Sequence, residues 1–300
     1  MKLQVTLSTL VITLFFNNVY AVTPESQACK QAYDKGDAPT ALAQASKALS
    51  LDKNDNDALL CQGRTFFATG NFSKALTSFK SADVNSSSAI NKTIATLLTG
   101  NSYKALKQYD DASKSYEQTI ANAKLANNVF FERIAHNGIG DVFVDKNELA
   151  QALLAYAIAS KLSANDNERA ESYEKIALTY HNLKQNDLAL EYQVKAYLMN
   201  EKSGDLDQYA HSSIELGRYY AIEKKYASAE NVLNKIIKFA KEQGGAYFEA
   251  QGSYILAKVK VATGDIPAAK ALIANAKMIA KNTNDKLLDE EIDQETKNLL

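Results

Sequence analysis

The sequence predicts an all-α solenoid of about seven repeated pairs of helices, because related stretches recur at intervals of just under to about 40 residues. The best-formed copy is HNGIGDVFVDKNELAQALLAYAIA at residues 136–159, which reads as two amphipathic helices joined by a tight polar turn. The composition agrees with this, since 12 Gly, 3 Pro and no Trp argue against a turn-rich β fold. Abundant alanine, leucine and lysine favour helix.

The composition also limits the classes of function. The chain has 300 residues, of which 46% are hydrophobic and 23% charged, so it has enough apolar material for an ordered structure. Its 34 Lys+Arg residues are balanced by 35 Asp+Glu residues. A nucleic-acid or anionic-membrane partner would favour an excess of positive charge. We therefore expect a protein or peptide partner and no nucleic acid.

Residues 1–21 are predicted to be a signal peptide. A positive start at Lys2 precedes an apolar core from Leu3 to Phe16, and small residues up to Ala21 suit signal-peptide cleavage. The apolar run is shorter than the about 20 residues that a membrane helix needs. We therefore expect an exported protein with no integral membrane anchor after cleavage, in the periplasm or, alternatively, secreted.

Two matching segments define the first and last repeats of a solenoid over residues 22–281. Gly36-Asp37-Ala38-Pro39 near its start corresponds to Gly264-Asp265-Ile266-Pro267 near its end. In both segments the proline lies just inside the start of a helix, where its missing N–H costs nothing and its fixed φ is suitable.

Small residues recur at fixed places in every pair. Each second helix opens with an alanine, at Ala41, Ala75, Ala112, Ala152, Ala189, Ala229 and Ala269. First helices place a small residue three before a bulky one, as in Gly63/Phe66, Gly100/Tyr103, Gly140/Phe143, Ala177/Tyr180 and Gly217/Tyr220. Glycine inside a helix costs about 1 kcal/mol relative to alanine. Its recurrence predicts close approach between helices, with the bulky neighbour filling the gap alongside.

The last segment, residues 282–300, is predicted to be a capping helix. A polar break at residues 282–285 precedes a charged helix that carries Leu287, Leu288, Ile292 and Leu299. A terminal helix with a polar outer side would cover the apolar face of the last repeat.

These repeats resemble the tetratricopeptide repeat family from about Ser26 to about Lys281. The resemblance is carried by the small-plus-aromatic pairs, the opening alanines and the turn glycines Gly36, Gly70 and Gly264. The chain differs from the family in lacking tryptophan and in ending its repeats with polar loops instead of proline. The resemblance implies a right-handed superhelix whose first helices line a concave groove that takes an extended peptide or a partner's segment.

Carried over position by position, the resemblance implies a mixed-charge set of groove residues: Arg64, Phe67, Asn101, Lys104, Asn137, Asp141, His181 and Arg218, with Lys30, Tyr33, Glu174, Leu178, Ile214, Tyr254 and Lys258 beside them. Asn101 and Asn137 are of most interest, since an amide can clamp a peptide backbone with both its donor and its acceptor. The alternative is that both asparagines only connect neighbouring repeats.

Cys29 and Cys61 fall in the first helices of two successive repeats, which lie side by side when such repeats stack. A disulfide is therefore sterically conceivable in an exported protein. Two buried free thiols are the equally weighted alternative.

Patterns for chemistry are weak in this sequence. Gly138-Ile139-Gly140 lies inside a predicted helix and lacks the strand and third glycine of a nucleotide loop. The acidic stretch at residues 52–57 lacks the glycine of a calcium loop. His136, His181 and His211 lie in different repeats with no partners at triad spacing. We therefore expect neither an enzyme nor a bound cofactor or metal.

The function predicted from the sequence is that of an exported, non-catalytic protein–protein interaction scaffold. One alternative is a sensor or receptor whose groove binds a short peptide or a small ligand. Another is an accessory subunit of a cell-envelope enzyme or secretion complex.

Overall fold

The computed structural model describes residues 22–299, which form fifteen α-helices and no strand. The helices are α1 (Pro24–Asp34), α2 (Ala38–Leu51), α3 (Asn56–Ala68), α4 (Phe72–Asn85), α5 (Ala89–Ala105), α6 (Tyr109–Leu125), α7 (Val129–Asp145), α8 (Leu149–Leu162), α9 (Asp166–Asn182), α10 (Asn186–Ser203), α11 (Leu206–Ile222), α12 (Tyr226–Gln243), α13 (Ala246–Ala262), α14 (Ile266–Thr283) and α15 (Lys286–Thr296). The signal peptide predicted for residues 1–21 lies outside the described residues. None of the described helices is long and apolar enough to cross a bilayer.

The first fourteen helices form seven pairs, α1/α2 to α13/α14, that stack in chain order. Each second helix packs on its own first helix and on the first helix of the next pair. The terminal helix α15 packs on α13 and α14, and its Leu288 and Ile292 are buried. The predicted solenoid of about seven helix pairs with a capping helix is confirmed.

The paired prolines lie where the sequence predicts them. The Asp37 side chain accepts a hydrogen bond from the backbone N–H of Thr40 at 3.1 Å, and Pro39 occupies the first turn of α2. Asp265 does the same for Ala268 at 3.2 Å, with Pro267 in the first turn of α14. The first and last second helices therefore begin with the same capping geometry.

The turn inside each pair requires one residue with positive φ. Glycine occupies that place in three pairs, with φ of 75° at Gly36, 75° at Gly70 and 86° at Gly264. In the other four pairs the same place holds Lys107, Asn147, Lys184 and Lys224, with φ between 57° and 63°. Lysine is disfavoured in the left-handed region. Helix packing therefore imposes this turn even where the local sequence opposes it.

The helices of a pair approach closely at the recurring first-helix glycines. A Cβ added to Gly63, Gly100, Gly140 or Gly217 would lie 2.4 to 2.7 Å from a buried second-helix side chain, which is Phe79, Tyr116, Tyr156 or Leu233 respectively. The predicted close approach is confirmed. The side chain over each glycine, however, comes from the second helix and not from the bulky neighbour on the first helix. A Cβ added to Gly138 would lie 2.8 Å from the Tyr116 ring, so this glycine has a packing role too.

The first helices line the inner side of the curve. Backbones of successive first helices contact each other in the pairs α1–α3, α3–α5, α5–α7, α11–α13 and α13–α15, whereas second helices in the described chain have no comparable mutual contacts. Helix α9 differs from them, because its backbone makes few close approaches to α7 and α11. Side-chain ion pairs, Arg133 with Glu171 and Lys175 with Asp141, connect it to α7.

A disulfide joins Cys29 of α1 to Cys61 of α3, with their Cα atoms 6.3 Å apart. Both residues are buried among Ala32, Ala41 and Ala45. Of the two alternatives left open by the sequence, the structure has the disulfide.

Candidate functional site in the groove of the first helices

Asp141 of α7 forms ion pairs with both neighbouring first helices, and the contacts Lys104–Asp141–Lys175 are called the ion-pair ladder. Lys104 of α5 places its Nζ 3.0 Å from Asp141 Oδ2, and Lys175 of α9 places its Nζ 2.8 Å from Oδ1. Burial acts to raise the pKa of the Asp141 carboxyl, but Lys175 and Lys104 outweigh it, and the pKa lies below its ordinary value. The structure thus brings two predicted groove residues, Lys104 and Asp141, into direct contact.

Tyrosines of the second helices reach the groove through their hydroxyl groups. Tyr116 Oη donates to Asn101 Oδ1 at 2.7 Å, and Tyr156 Oη donates to Asp141 Oδ1 at 2.7 Å. Asn101 and Asp141 each follow the glycine that the same tyrosine covers. These two groove residues therefore have a structural role in fixing the ring that fills the core of their own repeat.

Repeats without that tyrosine differ at the same place. Where Phe79 or Leu233 covers the glycine, the next residue on the first helix is Arg64 or Arg218. Neither Phe79 nor Leu233 can donate a hydrogen bond, and arginine carries no acceptor. The residue after the glycine is therefore a hydrogen-bond acceptor where tyrosine covers the glycine, and arginine where phenylalanine or leucine does. This correlation can be read from the sequence.

We predict that Asp141→Asn lowers the free energy of unfolding at neutral pH by about 1 to 3 kcal/mol, because two lysine amines lose their shared counter-charge. The pKa of Asp141 is depressed in the folded state. Its contribution is therefore present above its pKa in the unfolded chain and is lost as the pH falls through its folded pKa. Urea unfolding at a series of pH values measures this, and the difference from the unmodified protein should shrink in acid.

Asp145→Asn, one turn further along α7 at an exposed residue, is the matched control for this substitution. If both variants unfold alike at neutral pH, the ladder does not stabilise the fold.

Asn137 lies in the wall between two first helices. It is 3% exposed, its Nδ2 is 3.5 Å from Glu171 Oε1, and Ser172 Oγ donates to its Oδ1 at 3.3 Å. Both polar atoms of the amide are therefore engaged between α7 and α9. This placement favours the inter-repeat contact over the backbone clamp for Asn137.

The other predicted groove residues are spread along the inner face. The Phe67 ring packs edge-on against Phe72 at 5.1 Å, and His181 Nδ1 lies 3.0 Å from Asn186 Oδ1. Arg218 pairs with Glu215 at 3.1 Å and with Glu295 of α15 at 3.3 Å. The structure does not bring them into one cluster, since they occupy different repeats.

Ile214 and Tyr254 do not face the groove. Their exposed fractions are 1% and 0%, and both pack in the hydrophobic core of the last repeats. Each lies one helical turn before a small buried residue of its own helix, so its side chain faces the core. The prediction that Ile214 and Tyr254 lie on the groove surface is therefore wrong.

The main cavity of the groove lies beside α9. It is an open cleft of about 490 Å³ and is lined mainly by residues of α7, α9, α10 and α11. Its acidic lining residues are Glu168, Glu171, Glu174 and Asp207, and its basic ones are Arg133 and His211. A second cavity of about 340 Å³ shares Glu171, Glu174 and His211 with the first and is also lined by Lys175, Leu178 and Tyr219.

Negative charge dominates this main cavity. Arg133 is 3% exposed, with Nη1 2.7 Å from Glu171 Oε2 and Nε 3.3 Å from Glu168 Oε2. Burial raises the pKa of Glu174, and the carboxylates of Glu215 and Glu171 raise it further against the opposing effects of His211 and Ser212. Glu174 is therefore a half-buried carboxylate with two like charges nearby and His211 as its basic neighbour.

Of these cavity residues, the sequence pattern indicated Glu174 as a groove residue but did not indicate Arg133, Glu168, Glu171 or Asn200 as its neighbours. Arg133 and Glu171 are separated by 38 residues, which is one repeat. Opposite charges one repeat apart on successive first helices were the available signal, because such positions lie side by side in a stacked solenoid.

The comparisons with known proteins agree with this architecture. The family model for the tetratricopeptide repeat matches residues 30–90 and 97–167. Among curated protein sequences none matches this chain.

Several solved structures share the fold. Aspartyl phosphate phosphatase F from Bacillus subtilis is similar with a TM-score of 0.62 at 13% identity, over 94% of this chain and 81% of that chain. The apo form of RapI gives a TM-score of 0.58 at 10% identity, over 87% and 97% respectively. The APC/C hetero-tetramer Cut9–Hcn1 gives 0.60 at 13% identity over 94% of this chain, which spans 50% of that one. At these identities the likeness concerns the fold alone. The described chain is thus a tetratricopeptide-like solenoid, and residues 30–90 and 97–167 carry sequence typical of the tetratricopeptide repeat family.

Proposed function

We propose that this protein is an exported, non-catalytic scaffold that binds a segment of a partner protein in the groove lined by its first helices. The observation that carries the proposal is a pair of adjoining cavities beside α9, of about 490 and 340 Å³, which share Glu171, Glu174 and His211. Concave sites with a few convergent polar groups are the usual places for ligands.

A rigid inner face supports the scaffold role. Ion pairs connect α5, α7 and α9 through Lys104, Asp141 and Lys175. A second set connects α11, α13 and α15, in which Arg218 and Lys258 both pair with Glu295. Such cross-links hold the first helices at fixed separations, and a pre-organised groove loses less entropy when a segment binds.

The disulfide supports export. Disulfides persist in oxidising compartments and are rare in the cytosol of most organisms. The bond between Cys29 and Cys61 is therefore in accord with the signal peptide predicted for residues 1–21.

Site-specific photocrosslinking in the native host tests the groove. A photoreactive residue replaces Leu178, which lies on α9 and is 52% exposed, or, as the control, Leu154, which lies on the second helix α8 and is 69% exposed. We expect one discrete crosslinked partner from position 178 and none from position 154. A partner captured at position 154 and absent at position 178 would place the binding surface on the outer face.

Asn101 and Asn137 are unsuitable positions for this test. Asn101 accepts the Tyr116 hydroxyl and Asn137 is buried between α7 and α9. Replacing either residue with alanine would change stability together with binding, so a weaker capture could not be assigned to the groove.

A further inference from the structure

The main cavity between α7, α9 and α11 combines unbalanced negative charge with an unused buried acceptor. Three glutamates, Glu168, Glu171 and Glu174, and Asp207 line it, while Arg133 and the exposed His211 are its basic lining residues. The following inference rests on the proposed function and names the chemistry of the segment that the groove would bind.

Arg133 neutralises only one side of the cavity. Its guanidinium contacts Glu171 and Glu168. Glu174, by contrast, accepts hydrogen bonds from Ser212 Oγ at 2.9 Å and from Asn200 Nδ2 at 3.4 Å, and forms no ion pair within the described residues. Asp207, in the first turn of α11, has no ion pair there either. Neither carboxylate therefore has an ion pair among the described residues; His211 is the basic side chain near Glu174, and Asp207 is exposed to solvent.

Asn200 adds a buried hydrogen-bond acceptor to this cavity. It lines the cavity, is 3% exposed, and its Nδ2 also donates to Ser212 Oγ at 2.9 Å. The contact with the Glu174 carboxylate fixes the orientation of the amide, because an ionised carboxylate can only accept. The Oδ1 atom is buried and has no hydrogen-bond partner among residues 22–299. A buried acceptor without a donor is uncommon in folded proteins, and a bound water, an ion or a donor group of a ligand can complete it.

The missing group is therefore a donor that carries positive charge. A guanidinium has five N–H donors in a planar fork and no acceptor, so it can contact a carboxylate and an amide oxygen at once. An ammonium offers only a point charge with three donors. We propose that this cavity is the specificity pocket of the groove and that it takes an arginine side chain of the bound peptide segment.

Blocked peptides test this without any change to the protein. The probes are eight-residue peptides of glycine and serine, acetylated and amidated, with a central arginine or its neutral isostere citrulline, each carrying one fluorophore. We expect the arginine peptide to bind the full chain at least about tenfold more tightly by fluorescence anisotropy, as expected for one charge-assisted contact. Equal affinities, or no binding of the arginine peptide at millimolar protein, would overturn the proposal.

A variant pair locates the binding. Glu174→Gln removes the unpaired carboxylate and keeps an oxygen to accept from Ser212, so we expect it to fold and to reduce the affinity for the arginine peptide by about tenfold. Glu117→Gln on α6 removes the same charge from an exposed residue that does not line the cavity, and should leave the affinity unchanged. Equal losses in both variants would mean attraction by net charge only, which would contradict a pocket.

Competition and crosslinking separate the two proposals. If spermidine displaces the arginine peptide as well as the unlabelled peptide does, the cavity recognises any small cation, and the peptide assignment is overturned. If crosslinking at position 178 captures a partner while arginine and citrulline peptides bind alike, the proposed function stands and the arginine pocket does not. If arginine selectivity is found without a crosslinked partner, the pocket stands and the scaffold role fails.

Discussion

Opening the disulfide between Cys29 and Cys61 is expected to lower the stability of the N-terminal repeat by about 3 to 4 kcal/mol. The bond joins residues separated by 32 positions. In the chain-entropy description, a cross-link that closes a loop of about 30 residues lowers the conformational entropy of the unfolded chain, and this loss corresponds to a free energy of that size.

The loss should be local. Helix α1 has only 11 residues and, among the helices of residues 22–299, packs mainly on α2 and α3, whereas an internal first helix packs against helices on both sides. Repeats in a solenoid are stabilised by their nearest neighbours, so a weakened terminal repeat can open while the remainder stays folded. Reduction should therefore raise the opening of α1 and α2 and leave α9 to α12 unchanged.

Hydrogen exchange with and without a reducing agent measures this. We expect faster exchange of the amides of α1 and α2 after reduction, and the same pattern in a double Cys29→Ala, Cys61→Ala variant. The reducing agent should have no further effect on the variant, which is the control for effects of the agent itself. Identical protection of α1 before and after reduction would contradict the prediction, and the disulfide would then contribute nothing to the fold.

The number and order of the helix pairs were readable from the sequence because each pair repeats the same small residues. Gly63, Gly100, Gly140 and Gly217 predicted close helix approach, and the structure places a buried ring or leucine over each of them. What sequence reasoning got wrong was the partner. Spacing along one helix identifies neighbours on that helix, while the residue over each glycine belongs to the next helix of the pair.

Two other features could not be predicted from local patterns. Lys107, Lys184 and Lys224 adopt positive φ because the packing of the helix pair requires it, and lysine gives no sign of that turn. Arg133 is buried beside Glu168 and Glu171 of the following first helix, which only the stacking of the repeats brings together. A solenoid resemblance assigns the same groove position to every repeat, so it does not single out the cavity beside α9.

The second large effect concerns Gly140 at the centre of the solenoid. A Cβ at this residue would lie 2.4 Å from Tyr156 Cε1 and 2.6 Å from its Cδ1. The Tyr156 ring cannot easily move aside, because it is 2% exposed and its hydroxyl is held by Asp141. We expect Gly140→Val to destabilise the protein by about 3 kcal/mol, since overpacking a tight core forces side chains and backbone from their preferred positions.

Urea unfolding followed by circular dichroism measures this effect, and two further variants make it specific. Ala150→Val adds a β-branched side chain at an exposed residue of α8 and should change the free energy of unfolding by only a few tenths of a kcal/mol, roughly the difference in helix propensity. Tyr156→Ala alone should cost about 3 to 5 kcal/mol through the cavity that it leaves.

Combining Gly140→Val with Tyr156→Ala should cost less than the sum of the two single changes, because the valine then occupies space that the missing ring has vacated. Coupling of this sign would assign the loss in Gly140→Val to the contact with Tyr156. Additive losses would mean that the glycine serves the helix backbone and not the ring.

The contact between Gly140 and Tyr156 also affects the groove, because Tyr156 donates to the same Asp141 oxygen that Lys175 contacts. A valine that displaces the ring should therefore also weaken the ladder, so that the further effect of Asp141→Asn is smaller in the Gly140→Val background than in the unmodified protein.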